Sequence, residues 1–255
     1  DSTISGNRSS LDGGGLVSIA SANATLVNVT ISGNVADRDG GGVRNEADMT
    51  LVNATVTKNA ADGEGGGING AGTTSLQNTL VAINTAEFNF PDLAGTFVTL
   101  GNNLVGNNSG AAASFPAGLP NASGDIVGEP SGLVDPLIDE DLLDNGGPTQ
   151  THLLQLGSPA IDSGNNAGVS ASVGDEQRGA LRILDGPDSD FVATVDIGAV
   201  EFGNFFVNTT EDLVDTSGPG DGVVYGDLLV VGRQISLRAA LQEANALAGE
   251  NTIVL

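Results

Sequence analysis

Along its first 108 residues the chain alternates short apolar or β-branched runs with clusters of Gly, Asn and Asp. Four of these runs align: Thr3-Ile4-Ser5-Gly6-Asn7, Thr30-Ile31-Ser32-Gly33-Asn34, Thr55-Val56-Thr57-Lys58-Asn59 and Leu80-Val81-Ala82-Ile83-Asn84. Their closing Asn residues lie 27, 25 and 25 positions apart. Triple glycines at 13–15, 40–42 and 65–67 repeat with spacings of 27 and 25. Thr25-Leu26-Val27-Asn28, Thr50-Leu51-Val52-Asn53 and Ser75-Leu76-Gln77-Asn78 recur every 25, and a looser copy spans 100–107. No 3.6-residue period competes, so each repeat reads as about three short strands separated by turns.

One such repeat cannot bury its own apolar side, but stacked copies bury a continuous column. The spacing therefore predicts an all-β fold, a right-handed parallel β-helix whose coils rise by about 4.8 Å. A leucine-rich repeat shares the length, but its dense Leu pattern and helical side are missing. Ile4, Ile31, Val56 and Val81 are expected to form one inward stack, and Leu26, Leu51, Leu76 and Leu100 another. Asn7, Asn34, Asn59 and Asn84 are expected at a turn in the left-handed conformation, their amides bonding from coil to coil as a ladder. The triple glycines supply positive φ or close backbone approach at a second corner.

Beyond residue 108 the repeat fades. Residues 109–128 are small and Gly/Ala/Ser/Pro-rich and read as a loop or linker. An unrepeated block follows. It contains Asp135-Pro136-Leu137, Asp144-Asn145-Gly146-Gly147-Pro148-Thr149-Gln150-Thr151-His152, Gly157-Ser158-Pro159-Ala160-Ile161-Asp162, Asp175-Glu176-Gln177-Arg178-Gly179 and Asp196-Ile197-Gly198-Ala199-Val200-Glu201. With the upstream run from Asn78 to Gly106, this block resembles the choice-of-anchor Q domain, found at the C-terminal end of right-handed β-helices in bacterial surface proteins. The repeats at 1–84 resemble polymorphic outer-membrane-protein coils. Phe206-Val207-Asn208-Thr209-Thr210, Gly220-Asp221-Gly222-Val223-Val224 and residues 236–246 resemble the CSLREA domain, which in that family caps the start of a β-helix. Val224 and Ile235 stand where that family has two cysteines, which suggests an apolar contact in their place. From the residues alone, Leu237, Ala240, Leu241 and Ala244 make a helical stripe after the N-cap Ser236, predicting a short helix over 237–248 and a strand over 252–255.

These readings divide the chain into β-helix coils (1–108), a choice-of-anchor Q-like C-terminal part of the β-helix (109–202) and a CSLREA-like cap segment (203–255). Their order implies a polypeptide that opens inside a coil and closes with the lid of a following one. The expectation is an extracellular or cell-surface structural protein that assembles head to tail, or repeats as a longer array, its main partner being itself. Leu237, Leu241, Ile253 and Leu255 of one copy would meet Ile4, Leu16 and Ile31 of the next.

Composition narrows the chemistry. Asp and Glu outnumber Lys and Arg by 32 to 8, a net charge of −24, which argues against nucleic acid and anionic membrane surfaces as partners. No apolar run is long enough to insert in a membrane, and the first residues do not resemble a signal peptide. Cys is absent and His occurs once, leaving little for thiolate or imidazole chemistry. The acidic turns at Asp12, Asp37, Asp39, Asp62 and Glu64 stack like charges and form a candidate calcium site, though no cofactor is required by the fold. Arg44 and Lys58 read as surface charges and His152 as a locally bonded side chain, so the expectation is a protein without enzymatic activity. A polysaccharide lyase or glycosidase and a carbohydrate-binding adhesin module are the alternatives; the 4% aromatic content and the lack of Trp tell against both.

Overall fold

The computed structural model describes residues 1–19, 21–169, 174–187, 190–207, 210, 212, 220 and 235–255. It is nearly all-β, a parallel β-solenoid of about five turns with one short helix near the C-terminus. Contacts divide it into a solenoid unit, 2–136 with 197–199, and a second unit, 137–196 and 200–255 with Asp1.

In the solenoid unit each coil turns at residues whose backbone is left-handed. The long strands Asn23–Ser32 and Asp48–Thr57 bend at Asn28 and Asn53, with φ of 51° and 49°, a region that Asn tolerates. All pairing between these strands is parallel and follows the repeat: Ile4 on Ile31, Ile31 on Val56, and Val81 on Val56. The column continues through Val105 to Val127, two rungs beyond the predicted stack. Leu26, Leu51 and Leu76 stack as expected, but Thr99 takes the fourth place. The register slips between Gly95 and Phe97, and Leu100 is pushed to the surface. A third column, Leu16, Val43, Ile68 and Leu93, completes the core. Each fully buried aliphatic side chain in these columns contributes about 1.5–3 kcal/mol.

The Asn ladder is built as predicted, with one correction. The backbone N–H and Nδ2 of Asn34 both donate to Oδ1 of Asn59, at 3.0 and 2.9 Å, and Asn59 donates likewise to Asn84. The left-handed residues, however, are the preceding Gly6, Gly33, Lys58 and Ile83, not the ladder asparagines. The ladder ends on Asp92, whose Oδ1 accepts both donors of Asn84 and whose Oδ2 accepts the N–H of Asn107. A second ladder runs from Thr79 through Asn103 and ends on Asp125. A carboxylate only accepts, so each one closes its ladder.

At the glycine corner, Gly41 is required by crowding: a Cβ there would lie 2.3 Å from the Ala60 carbonyl oxygen and 2.4 Å from that of Gly66. Residues 109–128 are irregular, as their composition predicts, yet they pack as a plug rather than a slack linker. Phe115 is fully buried beside Phe97, ring centroids 6.2 Å apart, and Ile126–Val127 pairs with Leu104–Val105.

In the second unit, 137–196 is held by single antiparallel bridges such as Ile138 with Leu154 and Leu184 with Thr194. The helix spans Leu237–Ala246, with the Ser236 side chain accepting from the Ala239 N–H. Its buried face is Ala239, Ala240 and Glu243, turned from the predicted stripe, so Leu237 and Leu241 are exposed. Thr252–Val254 pairs in parallel with Asn204–Phe206, and Ile253 packs on the cluster of Phe205, Ile235, Ala239 and Ala240. Ile235 thus has apolar neighbours; Val224 lies outside the described residues.

Candidate functional site

The first coil differs from those stacked behind it on its outer surface. Val17 aligns with Arg44 and Asn69. The same spacing sets Leu11 against Arg38 and Gly63, and Ile19 against Glu46 and Ala71. Positions that later coils fill with charged, polar or small residues are aliphatic here, and they are open: Leu11 is 60% exposed, Val17 44% and Ile19 64%. Beside them Ile4, Leu16, Ala24 and Leu26 are half-buried against the core, whereas Ile31, Val43 and Leu51, one rung in, are fully buried. Ile31, expected at an interface, is therefore covered by its own chain. Three exposed aliphatic side chains on one coil, where later coils carry charged, polar or small residues, make these positions a candidate interaction surface. The sequence reasoning named Ile4 and Leu16 but missed Leu11, Val17 and Ile19; aligning the outward positions of successive coils would have found them.

Of the other expected interface residues, Leu237 and Leu241 are each 45% exposed and Leu255 is 87% exposed, while Ile253 is partly engaged within its own unit.

The acidic turns are organised by hydrogen bonds and arginines. The Asp12 carboxylate accepts the Asp39 N–H at 3.2 Å, and the Asp39 carboxylate accepts the Glu64 N–H at 3.0 Å. Arg8 pairs with Asp37, Arg38 with Asp12 at 3.6 Å, and Arg44 with Asp39 at 3.5 Å. Asp62 is exposed. Among the described residues no three of these carboxylates converge as a cation site. Arg44 also donates to Asn69 at 2.7 Å and lies 3.4 Å from Glu46, which holds it as a structural cross-brace between coils. Lys58 occupies a left-handed corner. His152 is buried, with Nδ1 2.8 Å from the Asp139 carbonyl oxygen.

The second unit contains a buried ionic cluster that the sequence reasoning did not identify. Arg178 lies 2.9 Å from Glu176, donates to the carbonyls of Glu201 and Asn204, and stacks over Phe206 at 4.8 Å. Arg182 lies 3.5 Å from Glu201 and donates to the Asp196 carbonyl. The Asp196 carboxylate accepts the N–H groups of Asp162 and Phe202, and Glu201 accepts that of Asp196. Burial pushes Asp196 up to about 7, against the lowering effect of those hydrogen bonds, and raises Glu201 well above the usual carboxylate range. Glu176 is raised for the same reason, its two arginines offsetting only part of the desolvation. Three carboxylates against two guanidiniums form a structural lock for the loops around it. The adjacent cavity, lined by Leu153, Leu154, Phe202 and Phe205, is narrow.

No helix of the described residues is long and apolar enough to cross a membrane. Compared with models of protein families, with curated proteins and with solved structures, the chain matches none of them.

Proposed function

We propose that this chain is a structural module of an extracellular or cell-surface repeat protein, without enzymatic activity, that associates end to end with further copies of itself. A β-solenoid is compatible with a surface repeat protein. The observation that carries the reading is the aliphatic outer surface of the first coil, Leu11, Val17 and Ile19, beside half-buried Ile4 and Leu16. The exposed Leu237, Leu241 and Leu255 of another copy are the complementary groups. The order of motifs resembling choice-of-anchor Q and CSLREA domains supports the same pairing of tail with head. Elsewhere the acidic surface keeps assemblies soluble and apart. The reading involves no nucleic acid, no inserted helix and no cofactor.

Sedimentation velocity of the full chain over a range of concentrations tests it. The parent chain is expected to form larger species as concentration rises, and a Leu11→Glu, Ile19→Glu variant of unchanged melting temperature is expected to stay monomeric. A parent chain that remains monomeric at the highest concentration contradicts the proposal.

A further inference from the structure

A polar groove crosses the solenoid unit on the side opened by the strands Asn23–Ser32, Asp48–Thr57 and Ile68–Gln77. It consists of two open, shallow depressions that share Asn23, Asp48 and Thr73. The pairing register fixes its floor. Asn23, Asp48 and Thr73 form one row across three rungs, and Thr25, Thr50 and Ser75 form the next. Rungs repeat about every 4.8 Å, and the two rows stand roughly 6.6 Å apart along the strands. On the next rung the Thr25, Thr50 and Ser75 row continues onto the exposed Val98, where its polar character ends.

The chemistry of this floor is selective. Every one of the six positions hydrogen-bonds, with hydroxyls and an amide that both donate and accept and a carboxylate that accepts strongly. Glu46 adds a second carboxylate, and no Lys or Arg lines either depression. An anionic polymer is therefore repelled. No aromatic ring lines them either, so a ligand gains nothing from stacking and must gather many weak polar contacts along its length. A rigid floor of equally spaced polar rungs, each close to the length of one sugar ring, meets that demand for an extended hydroxyl-rich chain. We propose that the groove binds a neutral, linear polysaccharide laid across the coils. This does not depend on end-to-end association, since none of the six floor residues belongs to the first coil's apolar patch.

Affinity electrophoresis of the full chain in gels containing mixed-linkage β-glucan, mannan or polygalacturonate tests the proposal. Migration is expected to slow in at least one of the two neutral polymers, to be unaffected by raised ionic strength, and to be unchanged in polygalacturonate. An Asp48→Ala, Thr50→Val variant with the parent melting temperature is expected to bind at least roughly fivefold more weakly, the effect of one or two lost hydrogen bonds. Thr73→Val, which keeps a β-branched side chain in the strand, provides a milder second variant with the same direction of change. Unretarded migration in both neutral polymers, retardation abolished by salt, or variants retarded as strongly as the parent would each overturn the assignment.

Discussion

At the scale of single residues, the solenoid is specified by groups that serve two coils at once. Asn59 accepts two bonds from Asn34 and gives two to Asn84, all in a buried setting. Asn59→Leu takes the acceptor from the Asn34 backbone N–H and the donor from the Ile31 carbonyl and the Asn84 amide oxygen, and a loss of about 2–4 kcal/mol in urea unfolding is expected. Gly41→Ala is expected to cost at least ~2 kcal/mol in the same measurement, because its Cβ meets two backbone oxygens that cannot yield. Gly6→Ala has open space around it and carries only the left-handed penalty of about 1 kcal/mol. The ladder was legible in the sequence because Asn recurs in register. Which residue carries the positive φ was not, since Lys58 and Ile83 have no intrinsic preference for it and are held there by the coils on either side.

At the scale of elements, spacing alone predicted the column from Ile4 to Val81, because a fixed period leaves one register for parallel pairing. It failed where the period breaks. The slip after Gly95 exchanges Leu100 for Thr99, and no local signal marks it. Residues 109–128 lack periodicity, so the plug could not be read from them; a single Phe115 among small residues does the closing. Phe115→Ala is expected to cost about 3–5 kcal/mol and to raise hydrogen exchange at Leu104–Val105 and Ile126–Val127 before the earlier coils. Equal exchange across all coils would show that the plug is not what holds the last rungs. The helix face was misplaced because Leu237 and Leu241 are apolar yet exposed, and the small Ala239 and Ala240 are what fit against Phe205 and Ile235.

At the scale of the whole molecule, a highly acidic chain buries several carboxylates that prefer their protons. Burial raises Asp92 to about 6 and Asp196 to about 7, and lifts Glu201 as well. A raised folded-state pKa means that the folded chain holds protons which the unfolded chain releases near pH 4. This stabilisation is complete below about pH 4 and is lost as pH rises through 6 and 7. Thermal melting is therefore expected to occur at lower temperature at pH 8 than at pH 5, a difference on the order of 1–3 kcal/mol. A melting temperature that rises between those values would contradict this account of the buried cluster. None of this was legible from sequence, where 32 acids look alike until the fold selects the few that are desolvated.

End-to-end association is the central claim, and the absence of native cysteine makes one measurement decisive. Chains carrying Ile19→Cys are mixed with chains carrying Leu241→Cys, and the rate of disulfide formation between them is followed against a Ser131→Cys control. The account predicts that the Ile19–Leu241 pair links faster than either position links to itself or to the control. Rates equal to the control, or faster linkage between two Ile19→Cys chains, would contradict it.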